Sequence, residues 1–302
     1  MITYYVGQDK CPGQGIRMPS LKENNMKKTQ KIIQLASLLF ISVSCTESVN
    51  HLNIDTATTP TALVHDSTMI DPVVIEQKDA DTLIPRKYIY LTIDDAPLNG
   101  SDYIDSVIAV AKVKTNIFLV GNSIDGSHRF RKYHEQMKEN PYIAIYNHSY
   151  SHANNKYAKY YQNPTEVLSD FEKNRMDFNI THKIARLPGR NLWQIGERKK
   201  NYKQTGATSA ELLVQNGYQV FGWDIEWKYN AKDYTPKQTI EQLIDEIEEL
   251  HKTTSVFTSN HIVLLMHNQM FAKANDNNDL AKLIEKLKAR NYTFEYLSTY
   301  PI

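Results

Sequence analysis

The 302-residue sequence has little cysteine and no excess of charge of either sign. Its two cysteines, Cys11 and Cys45, both lie near the amino terminus, so the body of the chain has neither a disulfide framework nor a cysteine metal site. The formal net charge of +1 argues against wholesale binding of nucleic acid. Any metal ion in the body of the chain must therefore bind to histidine, aspartate or glutamate.

Long apolar runs are equally scarce. Residues 26–45 begin with basic residues, continue with an apolar stretch too short to span a bilayer comfortably, and end in small residues before Cys45. We interpret this segment as a lipoprotein signal peptide, with Cys45 as the lipidated first residue of the mature chain; a transmembrane anchor or a buried helix is the alternative. Met26 would then be the initiator and residues 1–25 an upstream, non-native start. A lipid on Cys45 would be the only membrane contact, and the protein is expected at the bacterial cell envelope, lipid-anchored or secreted.

The next forty residues differ in composition from the rest of the chain. Residues 46–85 are rich in Thr, Asp, Ser and Pro and show no sustained apolar period, which predicts a flexible linker with one short strand at 72–77. The folded unit is predicted to occupy residues 86–302.

Strand-like and helix-like patterns alternate within that unit. Apolar, β-branched and aromatic runs predict strands at 88–93, 114–120, 143–146, 184–187, 219–224, 261–267 and 292–296. Amphipathic patterns predict helices at 103–111, 130–139, 165–178, 209–216, 236–251 and 280–290. This alternation favours an α/β fold whose parallel strands close, or nearly close, into a barrel. In such folds the chemistry lies at the carboxyl ends of the strands.

The first predicted strand ends in two adjacent carboxylates, Asp94 and Asp95, followed by Pro97. A turn after the strand would let both acids reach one pocket. Two carboxylates in one pocket repel each other, and the usual resolution is a cation between them or a proton on one of them. The alternative is a loop whose acids cap the next helix.

Histidines follow two further predicted strands. His148 and His152 come after the third strand, four residues apart, a spacing that places two imidazoles on one face of a helical turn. Together with Asp95 they would supply two nitrogens and one oxygen, a ligand set that leaves an open position on zinc. His267 stands at the tip of the sixth predicted strand.

The remaining strand ends carry an arginine and two acids. Arg186 closes the fourth strand just before Pro188 and Gly189 and is placed to pair with a carboxylate. The fifth strand ends in the run 223–227, where Asp224 and Glu226 alternate with two tryptophans.

Taken in order, these motifs resemble the polysaccharide deacetylase family, also known as the NodB homology domain or carbohydrate esterase family 4. Residues 92–97 are similar to the family's T-F-D-D-G-P, 148–152 to its H-[ST]-x-x-H, 186–188 to its R-x-P, and 265–267 to its L-x-H. The resemblance covers about residues 86–300. It departs from the family at Ala96 and Tyr146, where glycine is usual, at Gly189, where an aromatic is common, and in the short run 223–227. That last departure leaves open whether Asp224 or Glu226 carries the fourth motif's role.

The resemblance implies a distorted (β/α)7 barrel that removes an N-acetyl, or less often an O-acetyl, group from a sugar polymer. It implies that Asp95, His148 and His152 bind a divalent metal, usually zinc. It also implies that Asp94 takes a proton from the attacking water. The other implied roles are a proton donor to the leaving amine at His267 and a partner for Asp94 at Arg186.

The resemblance also implies how substrate would be held. A backbone N–H near Gly189 would help to stabilise the oxyanion. Leu265 and Trp227 would line an apolar recess for the acetyl methyl group. An acetylated glycan is thus the expected partner.

Two other function classes remain open: a metal-dependent hydrolase of a non-sugar C–N bond, and a catalytically silent glycan-binding barrel. Exposed aromatic side chains in the strand-end loops would favour stacking on sugar rings. The candidates for such stacking are Tyr150, Tyr157, Tyr160, Tyr161, Trp193 and Trp227.

Overall fold

The strand that carries the two adjacent acids forms the middle of the sheet. In the computed structural model, which describes residues 85–253, 255–273 and 279–302, strand β1 (Lys87–Ala96) pairs with three other strands, all parallel to it. The predicted signal peptide, and the linker up to residue 84, lie outside the described residues.

The sheet of the described residues has ten strands. The other nine are β2 (Thr115–Leu119), β3 (Ile143–Asn147), β4 (Ile184–Ala185), β5 (Trp193–Ile195), β6 (Arg198–Lys200), β7 (Gln219–Val220), β8 (Ile225–Glu226), β9 (His261–His267) and β10 (Tyr292–Phe294). Their order is β6-β5-β7-β4-β3-β2-β1-β9-β8, with β10 paired to β1. From β7 to β8 every neighbouring pair is parallel. The sheet curls into a half-barrel that stays open between β6 and β8, and the predicted distorted barrel is confirmed.

Eight α-helices connect and cover the described strands. They are α1 (Ser101–Ala111), α2 (Gly121–Asp125), α3 (His128–Glu139), α4 (Tyr157–Tyr160), α5 (Pro164–Asp177), α6 (Ala207–Gln215), α7 (Ile240–Lys252) and α8 (Asp279–Lys288). Within the described ranges, none of the helices has the length and apolar character needed to cross a membrane.

Helix α7 shows how the covering helices are specified. Thr239 and Gln242 form a capping box at its start, which satisfies two backbone donors that the first turn leaves free. Its buried residues recur at the spacing of one helical face: Ile240, Leu243, Ile244 and Ile247. This face belongs to the same core cluster as Ile89, Leu91 and Ile93 of β1. Apolar packing in that cluster therefore helps to fix the position of β1.

The strand predicted at 219–224 is wrong in its length, because β7 ends at Val220 and the next strand, β8, begins only at Ile225. A Cβ on Gly222 would lie 2.1 Å from Asn191 Oδ1, so only glycine fits there. The carbonyl groups of Phe221 and Gly222 accept hydrogen bonds from Arg186, so they do not continue the strand-to-strand hydrogen bonding of β7. β8 can therefore cross to the far edge and pair with β9. The β5–β6 hairpin was not predicted, because each of its strands has only three residues, too few to show an alternation of apolar and polar side chains.

Candidate active site

The carboxylates Asp94 and Asp95 line one cavity of about 250 Å³. Successive residues of a regular strand point to opposite faces, but β1 is irregular at its end. Between Ile93 and Ala96 it gains one residue relative to β2, and Asp95 has a left-handed backbone (φ 69°). A bulge of this kind re-aims a side chain. The two acids thus meet through a bulge inside the strand.

Arg186 fixes the orientation of Asp94. Its guanidinium is fully buried, and Nη1 donates to Asp94 Oδ1 and to Thr92 Oγ1, each at 2.8 Å. Nη2 donates to the carbonyl of Gly222 at 2.7 Å and Nε to that of Phe221 at 3.2 Å. Burial lowers the pKa of Arg186 and the Asp94 carboxylate opposes that shift. Because Asp94 Oδ1 already accepts a hydrogen bond from Arg186, the other carboxylate oxygen, Oδ2, is the one that lies near His148, 3.5 Å from its Nε2.

The ring of His148 is held with a defined nitrogen toward the acids. Nδ1 lies 2.8 Å from the carbonyl oxygen of Arg186, and because a carbonyl only accepts, Nδ1 carries the hydrogen. Burial lowers the pKa of His148, although Asp94 and Asp95 act in the opposite direction. The neutral ring therefore presents an unprotonated Nε2, 3.6 Å from Asp95 Oδ1, which is the form that binds metals.

His152 and Asp95 complete this group. His152 Nε2 lies 3.1 Å from Asp95 Oδ1, a buried oxygen that accepts no hydrogen bond from any other described residue. Asp95 Oδ2 accepts a hydrogen bond from Gln269 Nε2 at 2.9 Å, a partner that sequence reasoning missed. Burial alone would raise the pKa of Asp95, but His152, His148 and the more distant His267 hold it well below its usual range.

These three side chains fit a divalent cation. One ligand atom from each of Asp95, His148 and His152 lies within 4.8 Å of the others. The unprotonated Nε2 of His148 and the Oδ1 of Asp95, which faces both imidazoles, are both suitable donors. The helical turn predicted from the histidine spacing is wrong. The chain leaves β3 at Asn147 and reaches His152 through left-handed residues, with φ 67° at Ser149 and φ 48° at His152.

Strand β9 brings two more predicted residues to the cavity. In the β1–β9 register, His267 is opposite Asp94 and Leu265 is opposite Thr92, and both line the cavity. His267 Nδ1 is buried and has no hydrogen-bond partner among the described residues, and the ring meets that of Tyr229 edge-on at 5.0 Å. The cavity thus has a histidine with a free nitrogen beside the carboxylate that Arg186 holds.

Of the residues predicted on the fourth motif, Glu226 lines the cavity and two do not. Trp227 is 1% exposed in the main core, where Nε1 donates to the carbonyl of Gln238. Asp224 accepts the backbone N–H groups of Phe257 and Val263 at 2.8 and 3.0 Å. Burial raises its pKa to about 6 even though those hydrogen bonds lower it. Trp223, which was not predicted, lines the cavity in place of Trp227.

Two tyrosines mark the mouth of the cavity. Tyr157 and Tyr229 line both the inner cavity and an adjoining outer cleft of about 600 Å³. Burial, followed by the charges of Asp95 and Glu226, raises the pKa of Tyr229 to about 12, so its phenol stays neutral. Of the predicted stacking residues, Trp193 and Tyr161 are buried, at 0% and 7% exposure, and cannot offer a ring to solvent.

Tyr157 also accounts for Gly189, the glycine that follows the R-x-P motif where the family commonly has an aromatic residue. Gly189 has a left-handed backbone (φ 63°), and a Cβ there would lie 3.2 Å from Tyr157 Cε1. The Tyr157 ring therefore occupies the space next to residue 189. A ring from α4 takes the place that a side chain on residue 189 would need.

Comparison with known proteins agrees with this geometry. Residues 84–189 match the family model described as polysaccharide deacetylase. These residues are similar to the polysaccharide deacetylase family. The matched residues include both aspartates, both histidines of the 148–152 motif, Arg186 and Gly189, whereas His267 lies beyond the match.

Several relatives resemble the chain over most of the deacetylase domain. A putative polysaccharide deacetylase, YheN of Bacillus subtilis (strain 168), is 24% identical over 216 residues, covering 70% of this chain and 67% of the relative. A solved CE4 esterase from Streptococcus mutans aligns with a TM-score of 0.51 at 21% identity, over 69% of this chain and 85% of that one.

A second solved structure has the same fold. The catalytic domain of a peptidoglycan N-acetylglucosamine deacetylase from Eubacterium rectale ATCC 33656 aligns with a TM-score of 0.51 at 21% identity, over 74% and 96% of the two chains. At this identity the two structures show that the deacetylase fold is shared.

Proposed function

We propose that the protein is a metal-dependent hydrolase that removes acetyl groups, N-acetyl in the first instance, from an acetylated glycan of the bacterial cell envelope. We propose zinc as the cation and Asp95, His148 and His152 as its ligands. One observation carries the proposal: an Arg186-bound carboxylate, a three-residue metal group and a histidine with a free nitrogen line the same 250 Å³ cavity.

The residues divide the chemistry between them. A divalent cation bound there would acidify a water molecule and polarise the acetyl carbonyl. Asp94, oriented by Arg186 through Oδ1, takes the proton from the attacking water. His267, on the neighbouring strand, protonates the departing amine, which cannot leave as an anion at neutral pH. A backbone N–H near Gly189 donates to the oxyanion.

The cavity wall suits a sugar with one small apolar substituent. Leu265 offers apolar surface for the acetyl methyl group, and Trp223 replaces Trp227 beside it. Tyr157 and Tyr229 offer rings on which a pyranose can pack. Glu226 is the fourth-motif acid that can contact substrate, since Asp224 is occupied by backbone N–H groups.

Acetate release from a panel of acetylated glycans, measured before and after treatment with a chelator, tests this function. We expect release that the chelator abolishes and added zinc restores. Acetate from a simple non-sugar amide but from no glycan would favour the non-sugar hydrolase. Glycan binding without any acetate would favour the silent barrel.

Removing either histidine should remove the metal. His148→Ala and His152→Ala each delete one of three protein ligands, which leaves too few donors to hold the ion. Elemental analysis of purified protein should show far less metal per chain than in the wild type. His128→Ala, on the exposed start of α3, is the matched control. Stoichiometric metal in both variants would show that the site is wrongly assigned.

A further inference from the structure

The segment that delivers His152 has an unfavourable backbone. His152, Ala153, Asn154 and Asn155 all have left-handed φ angles, between 46° and 58°, as does Ser149 at 67°. Residues with a Cβ avoid this region, and a run of them persists only where surrounding contacts impose it. Something outside the segment must therefore stabilise it.

Helix α5 supplies those contacts from one face. Asn174 and Asp170 are one turn apart and so lie on the same side of the helix. Asn174 Nδ2 donates to Asn147 Oδ1 and to the carbonyl of Leu119, each at 2.9 Å, and so secures the end of β3. Asp170 contacts the segment that follows.

The Asp170 carboxylate receives hydrogen bonds from both ends of the left-handed run. Ahead of the run, the backbone N–H of Ser151 lies 3.2 Å from both carboxylate oxygens and its hydroxyl donates to Oδ2 at 2.9 Å. Beyond the run, the Tyr160 hydroxyl donates to the same oxygen at 2.8 Å. Burial, and then Asp170, raises the pKa of Tyr160 well above its ordinary value, so this donor keeps its hydrogen.

We propose that Asp170 is a positioning residue for the metal ligand His152. By joining Ser151 to Tyr160 its carboxylate closes the segment 152–155 into the conformation in which His152 Nε2 reaches 3.1 Å from Asp95 Oδ1. The site is then preorganised before any cation binds. This inference rests on the proposed metal-dependent function and adds a residue that lies outside its ligand set.

The test is a titration of metal-free protein with Zn²⁺, followed by calorimetry, together with the visible absorption spectrum of the Co²⁺ form. Removing a residue that supports a metal-ligating side chain typically weakens metal affinity by about 10- to 100-fold. We expect Asp170→Ala to lose Zn²⁺ affinity by that order and Asp170→Asn to lose less. The Co²⁺ spectrum of Asp170→Ala should shift because one imidazole is no longer held. Asp177→Ala is the matched control, since Asp177 lies on the same helix but is exposed and pairs only with Lys173 among the described residues.

The outcomes separate a positioning role from a purely structural one. A positioning role weakens Zn²⁺ binding while the melting temperature of the metal-free protein stays close to that of the Asp177→Ala control. Unchanged Zn²⁺ affinity in Asp170→Ala, or a weaker affinity fully matched by a lower metal-free melting temperature, overturns the inference. Should Asp170→Ala fail to fold, Tyr160→Phe removes a single hydrogen bond from the same carboxylate and should weaken Zn²⁺ binding severalfold; unchanged affinity there overturns it too. Wild-type protein that binds no Zn²⁺ would instead overturn the metal site itself.

Discussion

An Asp94→Asn protein is expected to keep its metal and to lose acetate release by about 100-fold or more, the usual order for a general base. Asparagine keeps the size of the side chain and an oxygen that can accept from Arg186, so the local structure should survive. It cannot accept a proton from water. Turnover of an acetylated glycan and metal content per chain, measured on the same preparation, check both halves of the expectation.

The neighbouring substitution should behave differently, although it lies only one residue away. Asp95 Oδ1 faces both imidazoles, so Asp95→Asn should weaken metal binding and lose activity through that loss, with partial rescue by excess metal. Should Asp94→Asn be depleted of metal while Asp95→Asn keeps its metal and is inactive, the two roles are exchanged. Full activity in both variants would remove the deacetylase proposal altogether.

The second large effect is expected on stability. Arg186→Met leaves the buried Asp94 carboxylate without its counter-charge and leaves the carbonyls of Phe221 and Gly222 without their donor. Breaking a buried ion pair from one side typically costs about 3–5 kcal/mol. Urea unfolding of the metal-free variant should show a loss of that size, and its acetate release should fall with it.

A paired variant makes this expectation specific. In Arg186→Met combined with Asp94→Leu no buried charge is left unpaired, so part of the lost stability should return while activity stays absent. Arg190→Met, four residues along the chain and with its guanidinium bonded to Thr205 and to its neighbour Gly189, should change stability by less than about 1 kcal/mol. If Arg186→Met is as mild as Arg190→Met, the Arg186–Asp94 pair does not stabilise the fold.

The sequence allowed much of the site to be predicted because parallel strands end at one edge of a sheet. Asp94, Asp95 and His267 could be placed together once each was recognised at a strand end, and the β1–β9 register puts Asp94 opposite His267. The buried apolar runs that end in these residues are long, seven residues in β9, and such runs are the most readable feature of a sequence.

The errors lie where short strands and bends decide which way a side chain points. Two tryptophans occur within the run 223–227, and which of them lines the cavity depends on β8, only two residues long. The crossing of the chain at Gly222 puts Trp223 at the cavity and Trp227 in the core. The close contacts at Gly222, and not the hydrophobic periodicity of the sequence, decide which tryptophan lines the cavity.

Contacts between distant loops were also outside the reach of sequence patterns. Tyr157 fills the space beside Gly189 across 32 residues of chain, and Gln269 reaches Asp95 across 174. Neither pair has a spacing that marks it. Similarly, the spacing of His148 and His152 predicted that the two rings lie close together, which the structure shows, but it suggested the wrong backbone, because the left-handed run depends on contacts from α5.

The direction of β1 has a consequence for how the enzyme would meet its polymer. The described chain enters β1 at Lys87, and the carboxylates lie near the other end of the strand, seven and eight residues further on, or about 25 Å at the rise of an extended strand. The described chain therefore enters the sheet at the end of β1 opposite the carboxylates, so a glycan that reaches Asp94 and Asp95 does not have to pass the point where residue 85 enters the fold.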